Sequence, residues 1–143
     1  MPAKKAPAKQ VFSAEELEAL EDTRRERKKG GKADGLADLQ AALAKLSPAE
    51  KAMGERLHEL VTKAAPGLAP KTWYGMPAWA DADGKALCFF KPAGKFKERY
   101  ATFGFNTNAA LDDGNMWVTS FALVKLAAPE EKTLAALVKK AVG

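Results

Sequence analysis

The first half of the chain carries hydrophobic residues at the spacing of amphipathic helices. Between residues 34 and 46 four leucines recur at intervals of three, four and three, which predicts a helix with one apolar side. These leucines are Leu36, Leu39, Leu43 and Leu46. A second helix is predicted after Ser47, which can cap it, with Pro48 in the first helical position. Its apolar positions, which should face the core, are Met53, Leu57, Leu60, Val61 and Ala64.

From residue 71 onward the pattern changes to short, aromatic-rich runs separated by turn residues, which is typical of strands. Five strands are predicted, over residues 71–75, 78–80, 86–91, 98–105 and 115–121. The Asp-Ala-Asp-Gly sequence at residues 81–84 predicts a hairpin between the second and third strands. Pro129 then begins a closing helix whose apolar side carries Leu134, Leu137, Val138 and Ala141.

This order of elements predicts an α+β fold. We expect an antiparallel meander of about five short strands, packed against a leading and a closing helix and preceded by a helical extension. Eleven of the twelve aromatic residues lie between Trp73 and Phe121, so we expect the helices to cover an aromatic sheet.

The N-terminal third differs in composition from the rest of the chain. Residues 1–12 are rich in lysine, proline and alanine and lack periodicity, which predicts a disordered basic tail. Ser13 and Glu16 form a capping box that predicts a further helix, ended by Gly30 and Gly31. We therefore predict three parts: a tail over residues 1–12, a helical extension over 13–47 and an α+β domain over 48–143.

Composition narrows the class of protein. A chain of 143 residues with 47% hydrophobic and 29% charged residues has the size and balance of one globular domain. One cysteine and one histidine exclude an intramolecular disulfide framework and the usual four-ligand zinc site. No apolar run approaches 18 residues and no secretory signal opens the chain, so we expect a cytoplasmic protein without membrane contact.

No catalytic motif stands out, and we expect a protein without enzymatic activity, cofactor or metal site. Cys88 lies in an apolar strand, where its thiol should stay protonated and unreactive. His58 lies at the rim of the apolar side of its helix, which favours a boundary residue over a ligand. Asp112 and Asp113 precede a glycine and are interpreted as a turn, since one acidic pair is too little for calcium.

The segment Lys-Thr-Trp-Tyr-Gly-Met-Pro-Ala-Trp at residues 71–79 resembles the YdhG-like family of small bacterial domains. Residues of about 48–142 fit the plan of that family, including the strands at 87–90 and 100–105. The resemblance implies a helix–sheet–helix fold, and some members are described as frataxin-like iron chaperones. Iron prefers anionic oxygen ligands.

Two carboxylate rows are the candidate iron ligands. The first predicted helix has a carboxylate row with basic residues on the same side, formed by Glu15, Glu18, Asp22 and Glu26 beside Arg25 and Lys29. On the helix after Ser47, Glu55 and Glu59 are interpreted as neutralised by Lys51 and Lys63. An iron-chaperone role therefore rests on analogy.

Two surfaces are candidate ligand sites. The first is an aromatic corner formed by Trp73, Tyr74, Gly75, Met76, Pro77 and Trp79. Its structural alternative is a glycine turn with positive φ, a proline at an edge or turn, and tryptophans that fill space under the helices. The second is a basic rim formed by Lys91, Lys95, Lys97 and Arg99. It could hold phosphate, or its lysines could simply protect a sheet edge.

We favour a small non-enzymatic binding or carrier protein, whose ligand is anionic or a metal-ion complex and is held by the aromatic corner and the basic rim. The alternative is an accessory protein that contacts nucleic-acid phosphates without reading bases. Besides the rim, that function would use the basic residues of the N-terminal third: Lys4, Lys5, Lys9, Arg24, Arg25, Arg27, Lys28, Lys29 and Lys32.

Overall fold

The structure is a computed structural model, and it describes residues 32–143. Two helices lead, α1 (Lys32–Ala44) and α2 (Pro48–Ala64), and one closes, α3 (Ala128–Ala141). Between them lie β1 (Ala69–Trp73), β2 (Met76–Ala80), β3 (Ala86–Lys91), β4 (Ala101–Phe105) and β5 (Ser120–Leu123). The strands form one antiparallel sheet in the order β1-β2-β3-β4-β5. The predicted α+β meander between leading and closing helices is confirmed.

The hydrophobic core lies between one face of the sheet and the helices. Trp79, Phe90 and Phe103 contribute large, fully buried side chains from three neighbouring strands. Leu57 of α2 and Val138 of α3 are equally buried in the same cluster. The apolar sides that the helical spacing predicts therefore face this sheet, and we call the face that they cover the inner face.

Helix α1 belongs to this core. Leu39 and Leu43 are buried in the same cluster as the residues of α2 and α3. A Cβ atom added to Gly35 would lie 2.1 Å from the carbonyl oxygen of Pro70, so only glycine allows α1 to approach β1 so closely. The boundary predicted between residues 47 and 48 therefore does not separate two bodies. In the described part of the chain, the predicted extension shares one core with the domain.

The hairpin predicted between β2 and β3 is present. The carboxylate of Asp81 accepts hydrogen bonds from the backbone N–H groups of Asp83 and Lys85, at 2.9 and 3.0 Å. Gly84 has a φ of 82°, a conformation that glycine adopts at little cost. Beyond the turn the pairing shifts by one residue, because Trp79 pairs with Cys88 while Ala80 pairs with Ala86. This bulge leaves Leu87 unpaired with β2, and Leu87 belongs to the core cluster.

Strand β4 is shorter than predicted, and β5 is shorter and begins later along the chain than predicted. The run predicted over residues 98–105 becomes a strand only at Ala101, after a turn in which Lys97 has a φ of 55°. The run predicted over residues 115–121 becomes a strand only at Ser120. Met116 is 87% exposed and Trp117 is 39% exposed, so the apolar residues that suggested an early strand do not enter the core.

The predictions for the basic tail, the helix after Ser13 and its carboxylate row lie outside residues 32–143. So do the basic residues proposed for nucleic-acid contact, except Lys32. None of the helices between residues 32 and 143 is long and apolar enough to cross a membrane.

The place of α1 in the core predicts the effect of truncating its central leucine. Leu39→Ala should lower the free energy of unfolding by about 2–5 kcal/mol, because it removes a fully buried side chain and leaves a cavity. Gln40→Ala, an exposed position one residue along the same helix, should stay within about 0.5 kcal/mol. Urea denaturation measures both. Equal effects of the two variants would mean that α1 is an appendage.

Candidate functional site

The second face of the sheet, which we call the outer face, carries a row of residues in register across five strands. Lys71 pairs with Ala78, Ala78 with Phe89, Phe89 with Gly104 and Gly104 with Ser120. Successive side chains of a strand point to opposite faces. Since their neighbours fill the core on the inner face, the side chains of this row lie on the outer face.

A two-residue turn joins β1 to β2 and presents an aromatic residue. Trp73 pairs with Met76, so Tyr74 and Gly75 form the loop. Their φ angles are 54° and 78°, the left-handed values of a type I′ hairpin turn. The positive φ predicted for Gly75 is confirmed. Tyr74 shares this conformation, which costs a non-glycine residue on the order of 1 kcal/mol, and its side chain is 43% exposed.

Three aromatic side chains form what we call the aromatic platform: Trp73, Tyr74 and Phe89. The ring centroids of Trp73 and Phe89 are 5.1 Å apart, and those of Trp73 and Tyr74 are 5.0 Å apart. A Cβ atom added to Gly104 would lie 2.5 Å from the ring of Phe89, so this ring rests directly on the glycine. Trp73 and Phe89 are half-buried. Phe89 is therefore packed on Gly104, and Tyr74 is the most exposed ring of the platform.

Two residues of the predicted aromatic corner, Pro77 and Trp79, lie on the inner face. Trp79 is fully buried in the core on the inner face, and its indole N–H donates to Nδ1 of His58 at 3.1 Å. Met76 and Pro77 are also buried. Met76 pairs with Trp73 and therefore lies on the outer face, whereas Pro77 lies on the inner face with Trp79. Pro77 stands inside β2 rather than at an edge, but the pairing of β2 with β3 begins one residue later, so its missing N–H costs that ladder nothing. The prediction that Trp73 and Trp79 share one site is wrong, because they lie on opposite faces.

The surroundings of His58 and Cys88 indicate structural roles for both side chains. Burial lowers the pKa of His58, although Glu59 opposes the shift, and the bond from Trp79 requires a neutral ring with its proton on Nε2. Burial strongly raises the pKa of the Cys88 thiol, which is fully buried. Neither group reaches the outer face with a reactive atom.

The basic rim is tied to the Tyr74–Gly75 turn. Nζ of Lys95 donates to the carbonyl oxygen of Gly75 at 3.1 Å, which joins the loop after β3 to the turn after β1. Nζ of Lys91 pairs with the carboxylate of Glu98 at 2.9 Å. Both ammonium groups lie over the ring of Phe96, at 5.4 and 5.8 Å from its centroid.

The two remaining members of the rim are exposed. Lys97 and Arg99 lie on the same loop, and the guanidinium of Arg99 stacks on Tyr100. The structure thus brings one member of the rim, Lys95, against the Tyr74–Gly75 turn.

A pocket at the opposite end of the outer face was not predicted from the sequence. We call it the ring pocket; its volume is about 510 Å³, and Trp73 lines it beside Lys71 and Lys85. The other lining residues are Gly84, Ala86, Asn106, Thr107 and Asn108. Two lysines and two amides around one indole suit a ligand with both a ring and a negative charge. The Asn-Thr-Asn run after β4 is the only local signal that could have suggested it.

A larger groove lies between α2 and α3, with a volume of about 930 Å³. Arg56 spans it, donating from Nε and Nη2 to both carboxylate oxygens of Glu131 at 2.7 and 2.8 Å. Arg56 also pairs with Glu59 at 2.7 Å, and these two carboxylates raise the pKa of its guanidinium. The sequence predicted that Lys51 and Lys63 neutralise Glu59, whereas in the structure Glu59 pairs with Arg56. We interpret the groove as a helix–helix junction, since its acids bind its arginine.

Metal ligands do not converge in the part of the chain that the structure describes. Between residues 32 and 143, no three histidine, cysteine or acidic side chains come close enough to hold an ion.

The contact between Gly104 and Phe89 predicts a loss of stability. Gly104→Ala should lower the free energy of unfolding by about 1–3 kcal/mol, because the new Cβ would overlap the Phe89 ring. Gly67→Ala is the matched control, with no atom within 4 Å of the added Cβ, and should change stability by less than about 0.5 kcal/mol. If chemical denaturation shows no cost for Gly104→Ala, the ring does not rest on this glycine.

The lowered pKa of His58 predicts a pH dependence of stability. Below the ordinary histidine pKa near 6.5 the unfolded chain takes up a proton that the folded protein resists, so stability falls as the pH drops from 7 toward 5. The slope should stay below about 1.4 kcal/mol per pH unit, the limit for one proton. His58→Asn offers Trp79 an acceptor that does not titrate and should remove this part of the slope. An unchanged slope in urea denaturation of His58→Asn would contradict the assignment.

No protein-family model, curated protein or solved structure matches this chain significantly. The resemblance to the YdhG-like family therefore rests on the motif at residues 71–79 and on the order of elements. The function has to be argued from the geometry of the outer face.

Proposed function

We propose that this protein is a small non-enzymatic binding protein, and that its ligand carries both a flat ring and a negative charge. The observation that carries the proposal is the ring pocket, where the indole of Trp73 stands beside Lys71 and Lys85. An aromatic wall next to ammonium groups is the arrangement expected for a nucleotide-like ligand, whose base stacks while its phosphate meets the lysines.

The pocket is preorganised by hydrogen bonds to backbone and side chains. Nδ2 of Asn106 donates to the carbonyl oxygen of Ala86 at 3.0 Å, and Nδ2 of Asn108 donates to the carboxylate of Asp81 at 2.9 Å. Nζ of Lys71 donates to the carbonyl oxygen of Gly84 at 3.3 Å. Side chains held in this way lose little freedom on binding, which favours affinity.

Of the two ligand classes expected from the sequence, we favour an anionic ligand over a metal-ion complex. The ring pocket offers lysines. Of the two carboxylate rows considered for iron, the first lies outside residues 32–143, and Glu59 of the second is paired with Arg56. Binding of an anionic ligand therefore requires no metal-coordinating side chains among residues 32–143. The proposal also needs no chemical step, so its residues are assigned to binding alone.

The ligand class can be tested with four small probes: adenosine 5′-monophosphate, uridine 5′-monophosphate, adenosine and inorganic phosphate. We expect the two nucleotides to raise the melting temperature and to quench tryptophan fluorescence, with adenosine and phosphate much weaker. A ligand at 100 times its dissociation constant adds about 2.7 kcal/mol to stability, which thermal denaturation resolves.

Substitutions locate the binding. Trp73→Ala should abolish the shift and Lys85→Ala should weaken nucleotide binding about 10-fold, because they remove the stacking wall and a phosphate contact. The controls are Trp117→Ala and Lys125→Ala, exposed residues that do not line the pocket. No shift with either nucleotide, or equal losses in the controls, would refute the proposal.

A further inference from the structure

The ring pocket occupies only one end of the outer face, and the aromatic platform continues past it. Trp73 lines the pocket, while Tyr74 lies in the hairpin turn that Lys95 contacts. Phe89 is in ring contact with Trp73 and belongs to the next strand but one. The three rings therefore form a connected surface that is wider than one base.

Lysine side chains lie at both ends of this surface. Lys71 and Lys85 stand at the ring pocket. At the other end, Lys91 shares the outer face with Phe89, since the two are two positions apart on β3, and it is paired there with Glu98. Lys95 reaches the turn from the same end. From Ala86 to Lys91 the strand extends for about 16 Å at 3.3 Å per residue, which exceeds a mononucleotide.

We propose that the outer face binds a short stretch of single-stranded nucleic acid, with bases stacked on the aromatic platform and phosphates along the lysines at its two ends. This inference rests on the proposed function, because one nucleotide of the strand occupies the ring pocket. Sheet faces with exposed aromatic side chains and a basic border suit single strands, since every base has a face that can stack.

The conformation of Tyr74 supports this assignment. A tyrosine with a φ of 54° is unfavourable, whereas asparagine or glycine fits a type I′ turn readily. Stability alone would therefore favour another residue at this position. The side chain is nevertheless aromatic, 43% exposed and in edge contact with Trp73, as a stacking residue should be.

A single strand fits better than a duplex. The bases of a duplex are already stacked on one another, so their faces are closed to Trp73, Tyr74 and Phe89. The sheet presents rings rather than a helix or ribbon that could enter a groove. The inference also differs from phosphate contact through the N-terminal basic residues, because the platform lies within the described fold.

The turn provides a variant that separates binding from folding. Tyr74→Asn should leave the melting temperature unchanged or raise it, because asparagine tolerates positive φ. The same variant should weaken binding of a fluorescein-labelled uridine octamer on the order of 10-fold in anisotropy titrations. Binding of adenosine 5′-monophosphate should be unchanged, because Tyr74 does not line the ring pocket.

The second measurement is the affinity for nucleic acid as a function of salt concentration, for single-stranded and for double-stranded probes. With three or four phosphate contacts, octamer affinity should fall roughly 20- to 50-fold between 50 and 200 mM salt. The octamer should bind at least 10-fold more tightly than the mononucleotide, and a hairpin duplex of eight base pairs should bind at least 10-fold more weakly than the octamer.

The outcomes separate the two proposals. If the mononucleotide binds and the octamer binds no more tightly, the strand inference fails and the ring pocket stands. If neither binds, the proposed function fails as well. Unchanged octamer affinity in Tyr74→Asn overturns the inference. A further variant of the full chain replaces Lys4, Lys5 and Lys9 by glutamine. If it loses as much octamer affinity as Trp73→Ala does, the inference is also overturned, because the N-terminal segment would then hold the strand.

Discussion

The alternation of side chains along β2 and β3 is the constraint on which the rest of the structure depends. Trp79, Cys88 and Phe90 point to the helices and are completely buried. Because side chains alternate, Ala78 and Phe89 must then lie on the outer face. A slip of one residue in the pairing would exchange the two faces and expose the largest core side chain. The core thus determines the position of the aromatic platform, although it does not contact a ligand.

In the proposed function, stability and binding are divided between the two faces of the sheet. The inner face is closed by α1, α2 and α3, whose leucines and valines fill the core. The outer face keeps half-buried rings, among them Phe89 packed over Gly104 and paired with Ala78, with lysines at both ends. The exception to this division is Tyr74, where an unfavourable backbone conformation coincides with an exposed ring. An unfavourable backbone conformation at an exposed ring is characteristic of functional positions.

The motif that carries the family resemblance is itself split between the faces. Tyr74 and Gly75 form a turn that supports the platform, whereas Met76 and Pro77 are buried in β2. Lys95 joins this turn to the loop after β3 through the carbonyl oxygen of Gly75. The two surfaces interpreted separately in the sequence, the aromatic corner and the basic rim, are therefore joined by a hydrogen bond between Lys95 and Gly75. Trp79, the last residue of the motif, belongs to the core with His58.

The sequence by itself determined the features that depend on neighbouring residues. Helical spacing placed Leu39, Leu57 and Val138 on buried sides, and the Asp-Ala-Asp-Gly turn defined the β2–β3 hairpin. The tertiary structure decided the features that depend on distant segments. It placed α1 in the core through the approach of Gly35 to Pro70, and it assembled the ring pocket from Lys71, Lys85 and Asn106. Periodicity records which side of an element is apolar. It does not record which elements meet, because strand register and close backbone approach are set by the packing of the whole chain.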